Sequence, residues 1–141
     1  VPPYSWAYIP DSDVSRANRI SFPSNFSDNA APQGCSSVLA EITYNEGDFV
    51  SLMTDAEIVD HVTTSIAKIG LFSHDQILTT NVTKNQYAYV VYDLDYLKNI
   101  AIIRDYFSTG GISLVGRFSQ FEYLNMDGVI RSVMNFIRDM K

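Results

Sequence analysis

The sequence predicts an α+β fold: a mainly antiparallel sheet with helices packed on it, in the order β-β-β-α-β-α-β-α. Three observations carry this. The first 45 residues hold short β-rich runs separated by turn formers. Apolar spacing then switches to the helical period in three later segments. Strands gathered at the start, followed by mixed units, fit an α+β layer arrangement better than a parallel α/β one.

The elements follow in order. "SWAYI" (5–9), "NRISF" (18–22) and "SSVLAEITY" (36–44) read as strands, parted by "PDSD" and "PSNFSDNAAPQG". In the third run Val38, Ala40 and Ile42 face one way and Leu39, Glu41 and Thr43 the other. Thr54-Asp-Ala-Glu57 is a capping box. Val59, Val62, Ile66 and Ile69 recur behind it at helical spacing, and Gly70 stands where a left-handed C-terminal residue belongs. The run from Ile77 to Tyr92 reads as extended, and both of its faces are apolar or aromatic. Asp93 or Asp95 caps a second helix with Tyr96, Ile100, Ile103 and Phe107 as its buried stripe, and "STGG" stops it. "ISLV" (112–115) reads as a strand. The last helix starts at Asn125 and carries Met126, Ile130, Val133, Ile137 and Met140 on one face, with Arg138 and Lys141 at its C-terminal end.

The bulk numbers exclude several function classes. With 141 residues, 46% apolar and 18% charged, the chain is long enough for a core. A net charge of −6 argues against nucleic acid and anionic membranes as partners. Cys35 is the only cysteine, so no internal disulfide forms. His61 and His74 lack a partner motif, and no metal site is expected. No apolar run reaches the roughly 20 residues of a membrane span. The setting expected is cytoplasmic. Asn25-Phe-Ser27 and Asn81-Val-Thr83 match the glycosylation sequon by chance. The opening "VPPYSWAYIP" lacks a methionine and suggests a piece of a longer protein.

Seven glycines are present, yet they form neither G-x-G-x-x-G nor a P-loop. The acidic pairs Asp11/Asp13 and Asp93/Asp95 suit turns and caps rather than calcium. No Ser-His-Asp order stands out, because neither of the two histidines sits near a glycine-bracketed serine. The segment "GRFSQFEYLNMDGVIRSVMNF" (116–136) is different. Gly116 permits close approach to the backbone. Arg117 offers a planar fork. The N–H groups from Asn125 to Gly128 face whatever precedes the helix. The plain alternative is a loop with core aromatics and a capped helix. Nine tyrosines, Tyr87, Tyr89, Tyr92 and Tyr123 among them, supply rings that can stack on a flat ligand.

"GRFSQFEYLNMDGVI" resembles the C-terminal flavin-contacting segment of the superfamily that joins flavin-containing amine oxidases, protoporphyrinogen oxidase-like proteins and UDP-galactopyranose mutase-like proteins. "SWAYIPDSDV", "NRISFPSNFSDNAAPQGCSSVLAEI" and "YAYVVYDLDY" resemble further stretches of that superfamily in the same order. The resemblance implies the C-terminal fragment of an FAD-dependent oxidoreductase. Residues 1–111 would belong to the substrate-binding domain, and 112–141 would be the final strand and helix returning to the FAD site. The flavin would be held mainly by an N-terminal G-x-G-x-x-G domain outside this chain, so the fragment alone is not expected to hold FAD. Gly116 and Arg117 would approach FAD, with its phosphates as the anion. Asn125, Met126 and Asp127 would contact its ribityl–phosphate region or flavin edge. Tyr89 and Tyr123 would face the cavity of a small-molecule substrate. No catalytic residue is assigned.

Two departures bear on chemistry. Mutases of the superfamily carry an arginine before the glutamate of the third strand, where this chain has Ala40, and Val90 replaces an expected proline. The closer likeness is to oxidoreductase-like members linked to polysaccharide or lipopolysaccharide biosynthesis. A mutase fragment and a stand-alone interaction module without cofactor are the alternatives. An exposed cofactor side also leads us to expect self-association.

Overall fold

The computed structural model describes residues 1–140; Lys141, expected at the end of the last helix, lies outside them. The described residues form a small three-stranded antiparallel sheet and four helices, broadly α+β as expected. The strands are β1 (Trp6–Tyr8), β2 (Arg19–Ser21) and β3 (Leu39–Glu41), in that spatial order. The helices are α1 (Phe49–Leu52), α2 (Asp55–Lys68), α3 (Tyr96–Thr109) and α4 (Met126–Asp139). The chain divides into two compact units, 1–83 and 84–141. This boundary is one of packing, whereas the division expected at 111/112 rests on the motif resemblance alone.

In the first unit, Ala7, Ile20 and Ala40 pair across the sheet. Period-2 alternation sends that row inward. Ile20 joins Ala17, Phe22 and Ile66 of α2 in the buried core, with Val38, Ala40, Ile42 and Val62 packed around it. The alternation expected for β3 is therefore present. Helix α2 begins with the complete capping box: the Thr54 hydroxyl accepts from the Glu57 N–H, and the Glu57 carboxylate accepts from the Thr54 N–H. The Thr54 N–H, contributing most, and the Thr54 hydroxyl both donate to the Glu57 carboxylate and hold it below its usual range. At the other end Gly70 adopts φ +77°. Its N–H bonds the Ala67 carbonyl and the Leu71 N–H bonds the Ile66 carbonyl, a Schellman closure. Inside, the Ser65 hydroxyl donates to the Val62 carbonyl. Its oxygen is then left to accept from the Ser15 hydroxyl at 2.9 Å, while Ser15 accepts from the Ala17 N–H.

In the second unit, α3 buries Ile100 and half-buries Tyr96, Ile103 and Phe107, the stripe read from sequence. Asp93 accepts from the Asp95 N–H in the turn ahead of it. Gly111, at φ +71°, closes its C-terminus as Gly70 closes α2. The two later strands expected, within 77–92 and at Ile112–Val115, are absent among the described residues. The observed order is β-β-β followed by four helices. Composition gives a residue a taste for extended backbone, but a strand exists only when a neighbour completes its ladder. Neither segment has one. Helix α4 packs through Val129, Ser132 and Phe136, whereas Met126, Ile130, Val133, Ile137 and Met140 are exposed.

Candidate functional site: an arginine–tyrosine cluster before helix α4

All seven residues singled out for cofactor or substrate lie in the second unit. Tyr89 and Tyr123 stack, with ring centroids 6.0 Å apart and planes 12° apart. The Arg117 guanidinium carbon stands 4.2 Å from the Tyr123 centroid, 5.6 Å from that of Tyr89 and 5.9 Å from that of Phe118. A cation so placed is attracted by the ring faces. Arg117 also donates from Nη1 to the carbonyl of Leu124 at 3.0 Å. Leu124 precedes Asn125, the N-cap of α4. One side chain thus ties the glycine–arginine turn to the helix start.

Gly116 has φ +93°, a region open to glycine at little cost. Its N–H is taken by the Gln120 side-chain carbonyl at 3.1 Å. The same Gln120 oxygen accepts from the Ser132 hydroxyl at 2.8 Å, which anchors the loop to the body of α4. The backbone after it is strained: Phe121 sits at φ +54°. Its carbonyl is held by the Tyr96 hydroxyl at 2.5 Å, and the next residue but one, Tyr123, donates its N–H to the Tyr92 hydroxyl at 2.5 Å. Partial burial pushes the Tyr96 hydroxyl above its usual range, and adjacent Tyr92 adds to this. Arg104 closes the loop from the α3 side, donating to the Gln120 carbonyl and pairing with Glu122 at 2.6 Å.

Beside this cluster runs an open groove of about 480 Å³. Tyr87, Tyr89, Tyr96, Ile100, Phe118 and Phe121 supply most of its wall, with Asp93 and Asn99 as polar points. Its size falls within the range of small-molecule sites. Asn125, Met126 and Asp127 stand together on the first turn of α4, all exposed. The Asn125 side chain makes no capping bond, and the first helical N–H bond is that of Val129 to the Asn125 carbonyl. Amides ahead of it therefore remain for an outside acceptor.

The residues fit parts of FAD unequally. Rings, a guanidinium fork and open helix amides suit a flat heterocycle and a hydroxylated chain. Asp127 puts a carboxylate in the first turn, unfavourable to a phosphate there. Sequence reasoning missed Gln120, Tyr96 and Arg104 as the loop's supports, because Tyr96 and Arg104 donate to backbone carbonyls and Gln120 accepts from a backbone N–H, all set by the loop's path. The glutamine inside "GRFSQ" gave no signal by type.

Among the described residues no group of histidine, cysteine and acidic side chains could hold a metal, and no helix is long and apolar enough to cross a membrane. No family model matches the chain, and no curated protein and no solved structure matches it either.

Proposed function

We propose that this chain is the C-terminal, substrate-side part of an FAD-dependent oxidoreductase of the amine-oxidase and protoporphyrinogen-oxidase type, linked to polysaccharide or lipopolysaccharide biosynthesis. The observation that carries the reading is the convergence of Tyr89, Gly116, Arg117 and Tyr123 with the open first turn of α4. These are the positions that the motif resemblance assigns to flavin and substrate. Arg117, Asn125 and Met126 would hold the ring edge and ribityl hydroxyls of FAD. Asp127 would accept from a ribityl hydroxyl. Its charge directs the phosphates elsewhere, toward an N-terminal nucleotide-binding domain.

Bound FAD would accept a hydride equivalent from a substrate carbon. The chain's own share is binding and exclusion. Tyr89 and Phe118, in the groove wall, present rings that displace water from an apolar substrate, whereas Tyr123, stacked on Tyr89 and covered by Arg117, is not part of that wall. The groove accommodates the body of the substrate. The tie from Arg117 to Leu124 fixes the distance between cluster and helix, so that cofactor and substrate are held in register.

One observation favours the oxidoreductase over the mutase. Ala40 is partly buried against the core, paired with Ile20, and offers no cationic group to a substrate phosphate. The test is flavin content. The full gene product is purified and its flavin-to-protein ratio measured. The reading expects a yellow protein with one FAD per chain, and loss of flavin in Arg117→Ala. A colourless product that takes up no FAD overturns it in favour of a stand-alone interaction module.

A further inference from the structure

Three turns in this chain close with the same pair of backbone hydrogen bonds. After α2 the Gly70 N–H bonds the Ala67 carbonyl and the Leu71 N–H bonds that of Ile66. After α3 the Gly111 N–H bonds the Ser108 carbonyl and the Ile112 N–H bonds that of Phe107. Within 117–122 the Phe121 N–H bonds the Phe118 carbonyl at 3.3 Å, and the Glu122 N–H bonds that of Arg117 at 3.0 Å. This closure puts its next-to-last residue in the left-handed region, the ordinary place of a glycine. Gly70 and Gly111 stand there at φ +77° and +71°. In the third turn the place is taken by Phe121 at φ +54°, the only non-glycine with a positive φ among the described residues. A Cβ there comes too close to the following carbonyl oxygen, a cost that glycine escapes. Such strain persists only where the surroundings over-determine it. Here the Tyr96 hydroxyl holds the Phe121 carbonyl at 2.5 Å, and the Tyr92 hydroxyl takes the Tyr123 N–H at 2.5 Å. Arg104 holds the Gln120 carbonyl at 3.2 Å. The rings of Tyr92 and Tyr96 brace one another, with centroids 4.5 Å apart.

We propose that Phe121 is a specificity-determining residue of the groove beside this turn, and that Tyr92 and Tyr96 are positioning residues that hold its backbone. The proposal rests on reading that groove as the substrate cavity. Glycine would close the third turn as it closes the other two. What glycine cannot supply is a ring, and the ring of Phe121 lies in the groove wall with those of Phe118 and Tyr89 and the side chains of Ile100 and Ile103. The strain is therefore the cost of placing an aromatic side chain at that point of the wall. Rings so placed take a flat apolar group in offset or edge contact. Asp93 is the only charged side chain among the residues lining the groove, and it opposes an anion. The compound selected thus carries a flat apolar part with no negative charge beside it.

The chain is titrated with N-phenyl-1-naphthylamine, an uncharged flat probe whose emission rises in apolar sites. No FAD is needed, so failure here is distinct from failure to bind flavin. Wild type should give a saturable response. Phe121→Ala and Phe121→Gly should both weaken binding about tenfold or more, and Phe121→Tyr should retain it. In urea, Phe121→Gly should unfold at a higher midpoint than Phe121→Ala, because both lack the ring and only alanine keeps the strained Cβ. Tyr96→Phe leaves every ring of the wall in place but releases the Phe121 carbonyl, and should weaken the probe about threefold or more. Circular dichroism checks that each variant folds. No saturable response in wild type overturns the proposal, as does wild-type affinity in a folded Phe121→Ala. A Phe121→Gly no more stable than Phe121→Ala overturns the argument from strain. A Tyr96→Phe that unfolds earlier yet binds the probe as wild type does overturns the positioning role.

Discussion

The guanidinium of Arg117 lies over the ring of Tyr123 while bonding the carbonyl of Leu124, one residue further along the chain. Both contacts pull the turn onto the start of α4. The stack contributes about 0.5–1 kcal/mol at a partly exposed site, and a hydrogen bond from a charged donor about 1.5–3 kcal/mol. Arg117→Ala should therefore lower the stability of this unit by about 2 kcal/mol before any cofactor is considered. Arg117→Lys keeps the charge but not the planar fork, and should recover less than half of the loss. Urea unfolding followed by near-ultraviolet tyrosine dichroism checks both. In the full gene product, Arg117→Ala should also weaken FAD affinity about tenfold to a hundredfold. Asp127→Ala should act in the same direction more weakly. Equilibrium dialysis against FAD measures this, and a wild-type constant in folded Arg117→Ala would leave only the structural role.

Gln120 holds the loop from the opposite side. Its side-chain oxygen accepts from both the Gly116 N–H and the Ser132 hydroxyl. Gln120→Leu conserves length and leaves two half-buried donors without an acceptor. A cost of about 1–3 kcal/mol is expected for such a loss. Gln120→Glu keeps the acceptor and should fall nearer wild type. Hydrogen exchange at the Gly116 amide gives the specific readout: faster in Gln120→Leu, protected in Gln120→Glu.

The buried serine relay makes a third case. Ser65 donates to the Val62 carbonyl, which leaves its oxygen to accept from Ser15. Ser65→Ala orphans the Ser15 hydroxyl next to the core, at a cost of about 1–3 kcal/mol. Ser15→Ala/Ser65→Ala removes both partners, but the Ala17 N–H then loses its acceptor. The double variant should thus stay below wild type instead of returning to it. A double-mutant cycle in urea reads the coupling.

The capping box gives a pH dependence with a definite sign. The Glu57 carboxyl lies below its unfolded value because Thr54 donates to the charged form. Its contribution is fully present above the unfolded carboxylate range, about 4.3. It is lost as pH falls through the lower folded value. Glu57→Gln should therefore be less stable than wild type at neutral pH, and the gap should close on acidification. A gap independent of pH would mean that the carboxylate charge has no part in the cap. Thr54→Ala should cost about 1 kcal/mol.

What was legible in the sequence was local. The Thr54–Glu57 box, the Gly70 closure and the alternation of Val38, Ala40 and Ile42 each depend on residues a few positions apart, and each stands as read. The Tyr96–Ile100–Ile103–Phe107 stripe was legible for the same reason. The later strands were not, because a ladder needs a partner that no single segment encodes. At the candidate site, residue types identified Arg117, Tyr89 and Tyr123, which do come together. The supports of the loop stayed hidden, since Tyr96 and Arg104 reach main-chain oxygens that only the strained path through Phe121 presents.

Helix α4 carries most of its apolar side chains on an outward face. Its inward contacts come from Val129, Ser132 and Phe136, while Met126 is 86% and Ile130 61% exposed, and Val133, Met134 and Ile137 continue the stripe. Burial of such side chains is worth about 1.5–3 kcal/mol each, so the face gains from any apolar cover. This chain by itself should associate as its concentration rises. Ile130→Lys/Ile137→Lys should suppress that association and leave the unfolding midpoint nearly unchanged, because neither side chain contributes to the core. Lysine also keeps helix propensity, and Ile137→Lys adds a cation near the helix C-terminus, where the macrodipole favours it. Sedimentation equilibrium of wild type and variant over a range of concentrations measures the first effect, and urea unfolding the second. A wild-type chain that stays an ideal monomer throughout would remove the basis for association. A variant that loses its fold would show that the stripe is already packed within the chain.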